Sequence, residues 1–184
     1  MLYIRIPKTK QHDTHHIGAG LARGNNMVEI YGKVDPYHEL THVLAGRLGD
    51  PPAMFNEGLA VYVSESMGAD ALKQLGSPGL KLDDAVALHQ KQEQFISLDE
   101  LFAFTDIGPD SSRPTISYPE AGSFVKYLIS NYSLEKFRQA YKSLNNDDSA
   151  DALRKNRETF RTIYQKLPAE MEQGWLATLP SANQ

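Results

Sequence analysis

The chain has 184 residues, of which 41% are hydrophobic and 23% charged, so we expect residues 1–184 to form a single globular domain with its own core. The formal net charge of -4 at pH 7 gives no electrostatic reason to expect nucleic acid or an anionic membrane as a partner. The lack of cysteine excludes a disulfide scaffold and a cysteine-based zinc ribbon, and no stretch is apolar enough to predict a membrane span.

Residues 1–26 carry few signals of regular structure. No signal-like apolar run follows Met1, and we expect a soluble chain whose compartment the sequence does not give. If the domain belongs to a longer precursor, an extracytoplasmic location is the alternative. A polar cluster in this part contains His12, Asp13, His15 and His16. We interpret the cluster as a solvated loop, and a metal site of its own is the less favoured alternative because no helical spacing organises it. Gly18 to Leu21 predicts a glycine-rich turn, and Met27 to Tyr31 predicts a short strand.

The next segment contains the pattern His38-Glu39-Leu40-Thr41-His42. Asp35 stands where a helix N-cap would be, Pro36 suits the first turn, and the apolar residues that follow have helical spacing. Two histidines four residues apart on a helix lie on the same face, so both imidazoles can reach one metal ion. Glu39, which lies between them, can accept a proton from a water that the metal activates, the general-base role of this motif in metalloproteases.

A catalytic zinc ion needs three protein ligands and one open position, and Glu57 is the candidate for the third ligand. Glycines and prolines between residues 46 and 52 end the first helix, and a second helical pattern runs from Phe55 to Glu65. An antiparallel return would bring Glu57 back to the histidines. The alternative is that the histidines are surface residues and Glu57 only complements the helix dipole.

Helical patterns dominate the rest of the chain. The predicted segments are Ala69 to Leu75, Leu82 to Gln92, Leu98 to Phe104, a helix bearing Tyr118 that ends near Asn131, one that starts at Ser133, Ala150 to Gln165, and a last helix from Pro168 that carries Trp175. A loop from Thr105 to Pro114 precedes the Tyr118 helix. Because Pro119 suits a first turn, we expect the Tyr118 phenol to project from a helix start. The sequence therefore predicts a mainly α fold of the α+β type, with a small N-terminal β element.

Four segments together resemble the gluzincin zinc metallopeptidases, and within them the bacterial peptidase MA-like group related to the aminopeptidase N family. They are His38 to Leu44, Phe55 to Tyr62 with its Asn56-Glu57-Gly58, and the segments Ser117 to Leu128 and Glu172 to Leu176. The resemblance covers residues 27–179 and implies a zincin-like domain with an active-site helix and a ligand-glutamate helix. That domain would be complete in itself or the catalytic part of a longer protein.

The resemblance implies roles for five residues. His38, His42 and Glu57 would hold one Zn²⁺ ion, Glu39 would be the general base, and Tyr118 would donate to the oxyanion of the tetrahedral intermediate. From residue chemistry alone Tyr118 is one of nine tyrosines, and ordinary packing is the alternative. The strand from Met27 to Tyr31 would either pair with extended substrate main chain or serve as scaffold.

This sequence departs from the family pattern in three places. Gly122 follows Tyr118 by four residues, where the aminopeptidases have three. Val61 stands where some gluzincins carry an acid that supports a ligand histidine, so we expect that support from elsewhere, such as a backbone carbonyl. The acidic Gly-x-Met-Glu-Asn segment that recognises a free amine is missing, which argues against a plain aminopeptidase.

Two functions follow from this pattern. The first is a zinc-dependent metallopeptidase that acts on a peptide or protein substrate. The alternative is a non-catalytic, zinc-bearing domain of the same fold that binds peptides or proteins. Glu39 favours the first, because a purely structural zinc site needs no base and closes its fourth position with a protein ligand.

Overall fold

The structure is a computed structural model that describes residues 2–3, 20–23, 27–30, 35–107 and 112–181, the first three stretches by their backbone alone. It is mainly helical, which confirms the mainly α prediction. The helices, in chain order, are α1 (Pro36–Ala45), α2 (Ala53–Ser66), α3 (Leu82–Lys91), α4 (Leu98–Leu101), α5 (Pro114–Asn131), α6 (Leu134–Ser143), α7 (Ala150–Tyr164) and α8 (Pro168–Leu176), with one 3-10 turn at Lys73–Leu75. Within these residues no helix combines the length and apolar character that crossing a membrane requires.

Three short strands form the N-terminal β element: β1 (Leu2–Tyr3), β2 (Gly20–Arg23) and β3 (Met27–Ile30). β3 lies in the middle, parallel to β1 and antiparallel to β2. The predicted strand is therefore present, whereas the turn predicted over Gly18 to Leu21 is wrong for its second half. Gly20 pairs with Ile30 and Leu21 with Glu29, because pairing with β3 provides the hydrogen bonds that their backbone needs. Neighbours on both sides of β3 at Glu29 and Ile30 leave no edge there for a substrate strand.

Helix caps explain why several predicted boundaries are correct. Asp35 Oδ1 accepts a hydrogen bond from the backbone N–H of Tyr37 at 2.9 Å and begins α1. Ser133 caps α6 and Ser149 caps α7 in the same way, each through its side chain. These residues satisfy backbone donors that the first turn of a helix leaves free.

Two of the predicted helices are shorter in the structure. The segment from Ala69 to Leu75 forms only the 3-10 turn, because glycines with positive φ lie on both sides of it, at Gly68 (82°) and Gly76 (83°). The helix predicted from Leu98 to Phe104 is the single turn α4, which ends at Leu101. In the first of these two segments, left-handed backbone at a glycine ends the helix, whatever the apolar spacing around it.

The start of α5 also differs from the prediction. The helix begins at Pro114, so Pro119 lies inside it and Tyr118 lies in its second turn. An internal proline leaves the carbonyl four residues earlier, that of Thr115, without its helical partner. Thr115 is exposed, so water can satisfy that carbonyl and the helix can continue past the proline.

Helix α5 runs through the core of the molecule, and ten of its 18 residues are buried. On one side it packs against α2, which carries Glu57. On another it contacts α8, where the fully buried Trp175 donates its indole N–H to Ser123 Oγ at 3.0 Å. A cluster of aromatic rings from α2, α6 and α7 completes the core. The core thus holds α2 and α5, which bear two of the predicted site residues, against each other.

Candidate metal centre

Helix α1 presents His38 and His42 side by side. They lie one turn apart, their ring centroids are 4.8 Å apart, and the rings are nearly perpendicular. Both are largely buried, with 22% and 13% of the side chain exposed. The spacing predicted from the sequence therefore brings both imidazoles to one face of α1.

Glu57 reaches the two histidines from the first turns of α2. Its Oε2 lies 3.2 Å from His38 Nε2 and 3.4 Å from His42 Nε2, and the two Nε2 atoms lie 3.1 Å apart. Three potential metal ligands from two helices thus form a nearly equilateral triangle. Among the residues that the structure describes, no other group of His, Asp and Glu side chains is arranged to hold a metal ion.

The size of this triangle fits a zinc ion. Three donors at about 2.0–2.1 Å from a tetrahedral ion lie about 3.3–3.4 Å from one another, close to the three distances seen here. Glu57 Oε2 is buried and accepts no hydrogen bond of good geometry within the described part of the chain. A buried polar atom without a partner is costly, and a cation beside it would remove that cost. The residues therefore fit a metal ion.

The electrostatics of the three side chains agree with a cation site. Burial by itself would raise the pKa of Glu57, but the close contacts with His38 and His42 hold it well below its usual range, so this group stays ionised. Burial lowers the pKa of His42, yet the contact with Glu57 and its charge outweigh burial and raise the pKa to about 8. Glu57 therefore attracts positive charge to the point where the three donors meet.

Asn56 determines which nitrogen of His42 carries the proton. His42 Nδ1 lies 3.1 Å from Asn56 Oδ1, which can only accept, so in the neutral imidazole the proton stays on Nδ1 and Nε2 keeps the lone pair that binds a metal. The same oxygen accepts a hydrogen bond from Tyr141 Oη at 2.8 Å. The support expected from a backbone carbonyl comes instead from the side chain immediately before Glu57.

Glu39 lies on the same helix as the histidines and is half-buried. Its charge contributes to raising the pKa of both His42 and Tyr118, so the carboxylate is near both groups. It does not belong to the group of side chains whose ligand atoms lie close enough together to hold one ion, which are those of His38, His42 and Glu57. The structure thus places a carboxylate close to the candidate metal position but outside the ligand set.

Tyr118 lies beside the candidate metal ligands although it is not at a helix start. Its ring centroid is 6.1 Å from that of His38, and its hydroxyl donates to the carbonyl of Ile107 at 3.1 Å. Burial and the charge of Glu57 raise its pKa above the ordinary value, so the phenol keeps its proton. A protonated hydroxyl next to the ligands is able to donate a hydrogen bond there.

Close packing of α2 on α5 brings Tyr118 to this place. A β-carbon on Gly58 would lie 2.5 Å from the backbone oxygen of Ala121, and one on Gly122 would lie 2.5 Å from Val61 Cγ2. Only glycines allow the two helices to approach this closely. Val61, which replaces the acid of the family pattern, is an apolar contact for Gly122.

All five predicted site residues therefore lie together, whereas His12, Asp13, His15 and His16 lie outside the described residues. Sequence reasoning missed Asn56 and Tyr141. The position of Asn56 next to Glu57 at a helix start was the available signal, and Tyr141 had none. Comparison with known proteins assigns no family: no family model, curated protein or solved structure matches the chain.

Proposed function

We propose that this protein is a zinc-dependent metallopeptidase of the gluzincin type. The observation that supports it best is the meeting of His38 Nε2, His42 Nε2 and Glu57 Oε2 within 3.4 Å of one another. Glu39 and Tyr118 stand beside this triangle, and a hydrolytic zinc site requires a base and a hydrogen-bond donor of these types.

The donor set favours zinc. Two imidazole nitrogens and one carboxylate oxygen suit Zn²⁺, whereas Mg²⁺ and Ca²⁺ prefer oxygen ligands alone. Two histidines and one carboxylate also occur in iron oxygenases. The pairing of this set with Glu39 and Tyr118 supports hydrolysis, since those residues offer proton transfer and a hydrogen bond.

The protein's own groups then divide the work of peptide hydrolysis. When bound, the ion would polarise the scissile carbonyl and lower the pKa of the attacking water. Glu39 accepts the proton of that water and passes it to the leaving amine. Tyr118, still protonated, donates its hydroxyl hydrogen to the developing oxyanion after leaving the carbonyl of Ile107.

A zinc titration and a peptide digestion test this proposal. We expect one Zn²⁺ per chain, bound in preference to Fe²⁺, and cleavage of members of a diverse peptide library that stops when a chelator is added, as read by mass spectrometry. Glu39→Gln should keep the zinc and lose hydrolysis. Tyr118→Phe should keep the zinc and cleave about 100-fold to 1000-fold more slowly, the loss typical of one missing oxyanion donor.

Glu135→Gln provides the matched control, because this exposed glutamate on α6 pairs only with Arg138 among the described residues. It should leave both zinc binding and cleavage unchanged. Zinc binding without cleavage of any peptide in the wild-type protein would contradict the peptidase proposal and favour the non-catalytic domain. Unchanged turnover in Glu39→Gln would remove Glu39 as the base.

A further inference from the structure

Tyr141 connects a helix without metal ligands to the metal centre. The residue lies on α6, is 1% exposed, and is 85 positions away from Asn56 in the sequence. Its hydroxyl lies 2.8 Å from Asn56 Oδ1, the atom that also accepts from His42 Nδ1. Three side chains from three helices thus form one continuous chain of hydrogen bonds that ends on a metal ligand.

The orientation of the Asn56 amide has a chemical consequence for His42. With the oxygen towards the ring, Nδ1 must carry the proton and Nε2 is free for a metal. With the NH₂ group towards the ring, Nδ1 must accept, and the proton moves to Nε2, where it blocks metal binding. The hydrogen bond donated by the Tyr141 hydroxyl favours the first orientation, because Oδ1 is the acceptor that the amide can offer to it.

The position of Tyr141 is fixed relative to the two ligand helices. The loop between α1 and α2 rests on the end of α6, where a β-carbon on Gly49 would lie 2.7 Å from the backbone oxygen of Tyr141. The backbone N–H of Asn146 donates to the carbonyl of Asp50 in this loop at 2.8 Å. The Tyr141 ring also packs against Phe137 within α6. The hydroxyl therefore reaches Asn56 from a rigid support.

We propose that Tyr141 is a positioning residue of the metal centre. Through its hydrogen bond it holds the Asn56 oxygen towards His42 and so keeps His42 Nε2 available for the metal. This inference rests on the metal centre of the proposed function but not on its peptidase activity. It predicts that removal of one hydroxyl on α6 weakens metal binding without touching any ligand.

The chain offers a matched control in Tyr164. This tyrosine is also buried, with 2% exposed, but its hydroxyl has no hydrogen-bond partner within the described residues. Tyr141→Phe and Tyr164→Phe therefore remove the same atom from similar surroundings. Only the first breaks the chain to His42.

The experiment measures Zn²⁺ affinity by competition with a chromophoric chelator, and thermal unfolding of the metal-free proteins. Tyr141→Phe should bind Zn²⁺ roughly threefold to tenfold more weakly, the change expected from one net hydrogen bond, and Tyr164→Phe should bind like the wild type. Equal affinities in wild type and Tyr141→Phe would overturn the inference. So would equal losses in the two variants.

A rescue separates positioning from general packing. Asn56→Asp places an acceptor oxygen towards His42 in either orientation, so it needs no help from the phenol. In that background Tyr141→Phe should change Zn²⁺ affinity less than twofold. The same loss as in the wild-type background would contradict a positioning role. Wild-type protein that binds no Zn²⁺ would instead refute the metal centre itself, whereas a zinc-binding protein without peptidase activity would leave this inference supported.

Discussion

Replacing Gly58 with alanine tests whether the close crossing of α2 and α5 builds the site. The added β-carbon would lie 2.5 Å from the backbone oxygen of Ala121, whereas such contacts are ordinary only from about 3.4 Å, so the helices must separate by up to about 0.9 Å. Overpacking of this kind costs about 1–3 kcal/mol, and the better helix propensity of alanine offsets about 0.5–1 kcal/mol of it. We expect a net loss of about 1–2 kcal/mol in the free energy of unfolding.

The functional effect should exceed the loss of stability. Because Glu57 precedes Gly58 and Tyr118 lies one turn before Ala121, separation of the helices moves the proposed oxyanion donor away from the candidate ligands. A misplacement of about 1 Å can cost on the order of 100-fold in rate. Thermal unfolding of the metal-free protein should show Tm lower by about 2–8 °C, and peptide cleavage should show the fall in kcat.

Gly174→Ala is the control for this change. Gly174 also lies within a helix, but its β-carbon would meet only the end of the Tyr127 side chain, with the hydroxyl at 3.0 Å. We expect a Tm equal to or slightly above that of the wild type. If Gly58→Ala unfolds at the same temperature as Gly174→Ala and retains full activity, the close helix crossing does not position the site.

Two further predictions concern buried polar groups in the core. Burial raises the pKa of Glu120 to about 9, from an ordinary value of 4.5, so its stabilising contribution is complete below about pH 4.5 and is lost as the pH rises through about 9. Glu120→Gln should remove this pH dependence and be more stable than the wild type by a few kcal/mol near pH 8, on the order that such a shift implies. Urea unfolding at pH 6 and pH 8.5 measures the free energy of unfolding of both proteins. The argument is wrong if that free energy changes equally in the two proteins between these pH values. Ser123→Ala removes the acceptor of the buried Trp175 N–H and a donor to Asp83, and should cost about 1–3 kcal/mol. Ser64→Ala, at a buried hydroxyl with no partner in the described part of the chain, should cost nothing, and equal effects of the two serine changes would contradict the hydrogen-bond argument.

Three consecutive residues of α2 serve three different purposes. Asn56 accepts from His42 and Tyr141, Glu57 supplies the third candidate ligand, and Gly58 allows α5 to approach. A single helical turn therefore joins the support of one candidate ligand, a second candidate ligand and the packing that brings in Tyr118. Changes at these neighbouring positions should consequently have separable effects on metal affinity and on stability.

The sequence by itself determined the local features of this protein. His38 and His42 fall on one face because the helix repeat places residues four apart above each other, and Asp35 and Pro36 mark where that helix begins. Glu57 could be predicted as the third candidate ligand because the loop before it is short. These features depend on hydrogen bonds and spacings within a few residues, which a sequence displays directly.

Tertiary structure alone decided the rest. The extension of α5 back to Pro114, the partnership of Tyr141 with Asn56 across 85 positions, and the contact of Gly58 with Ala121 depend on which helix faces meet in the core. Many arrangements of these amphipathic helices would satisfy the same apolar periodicity. Side-chain shape and the need to satisfy each buried polar group select one of them, and these constraints act only between segments that are distant in the chain.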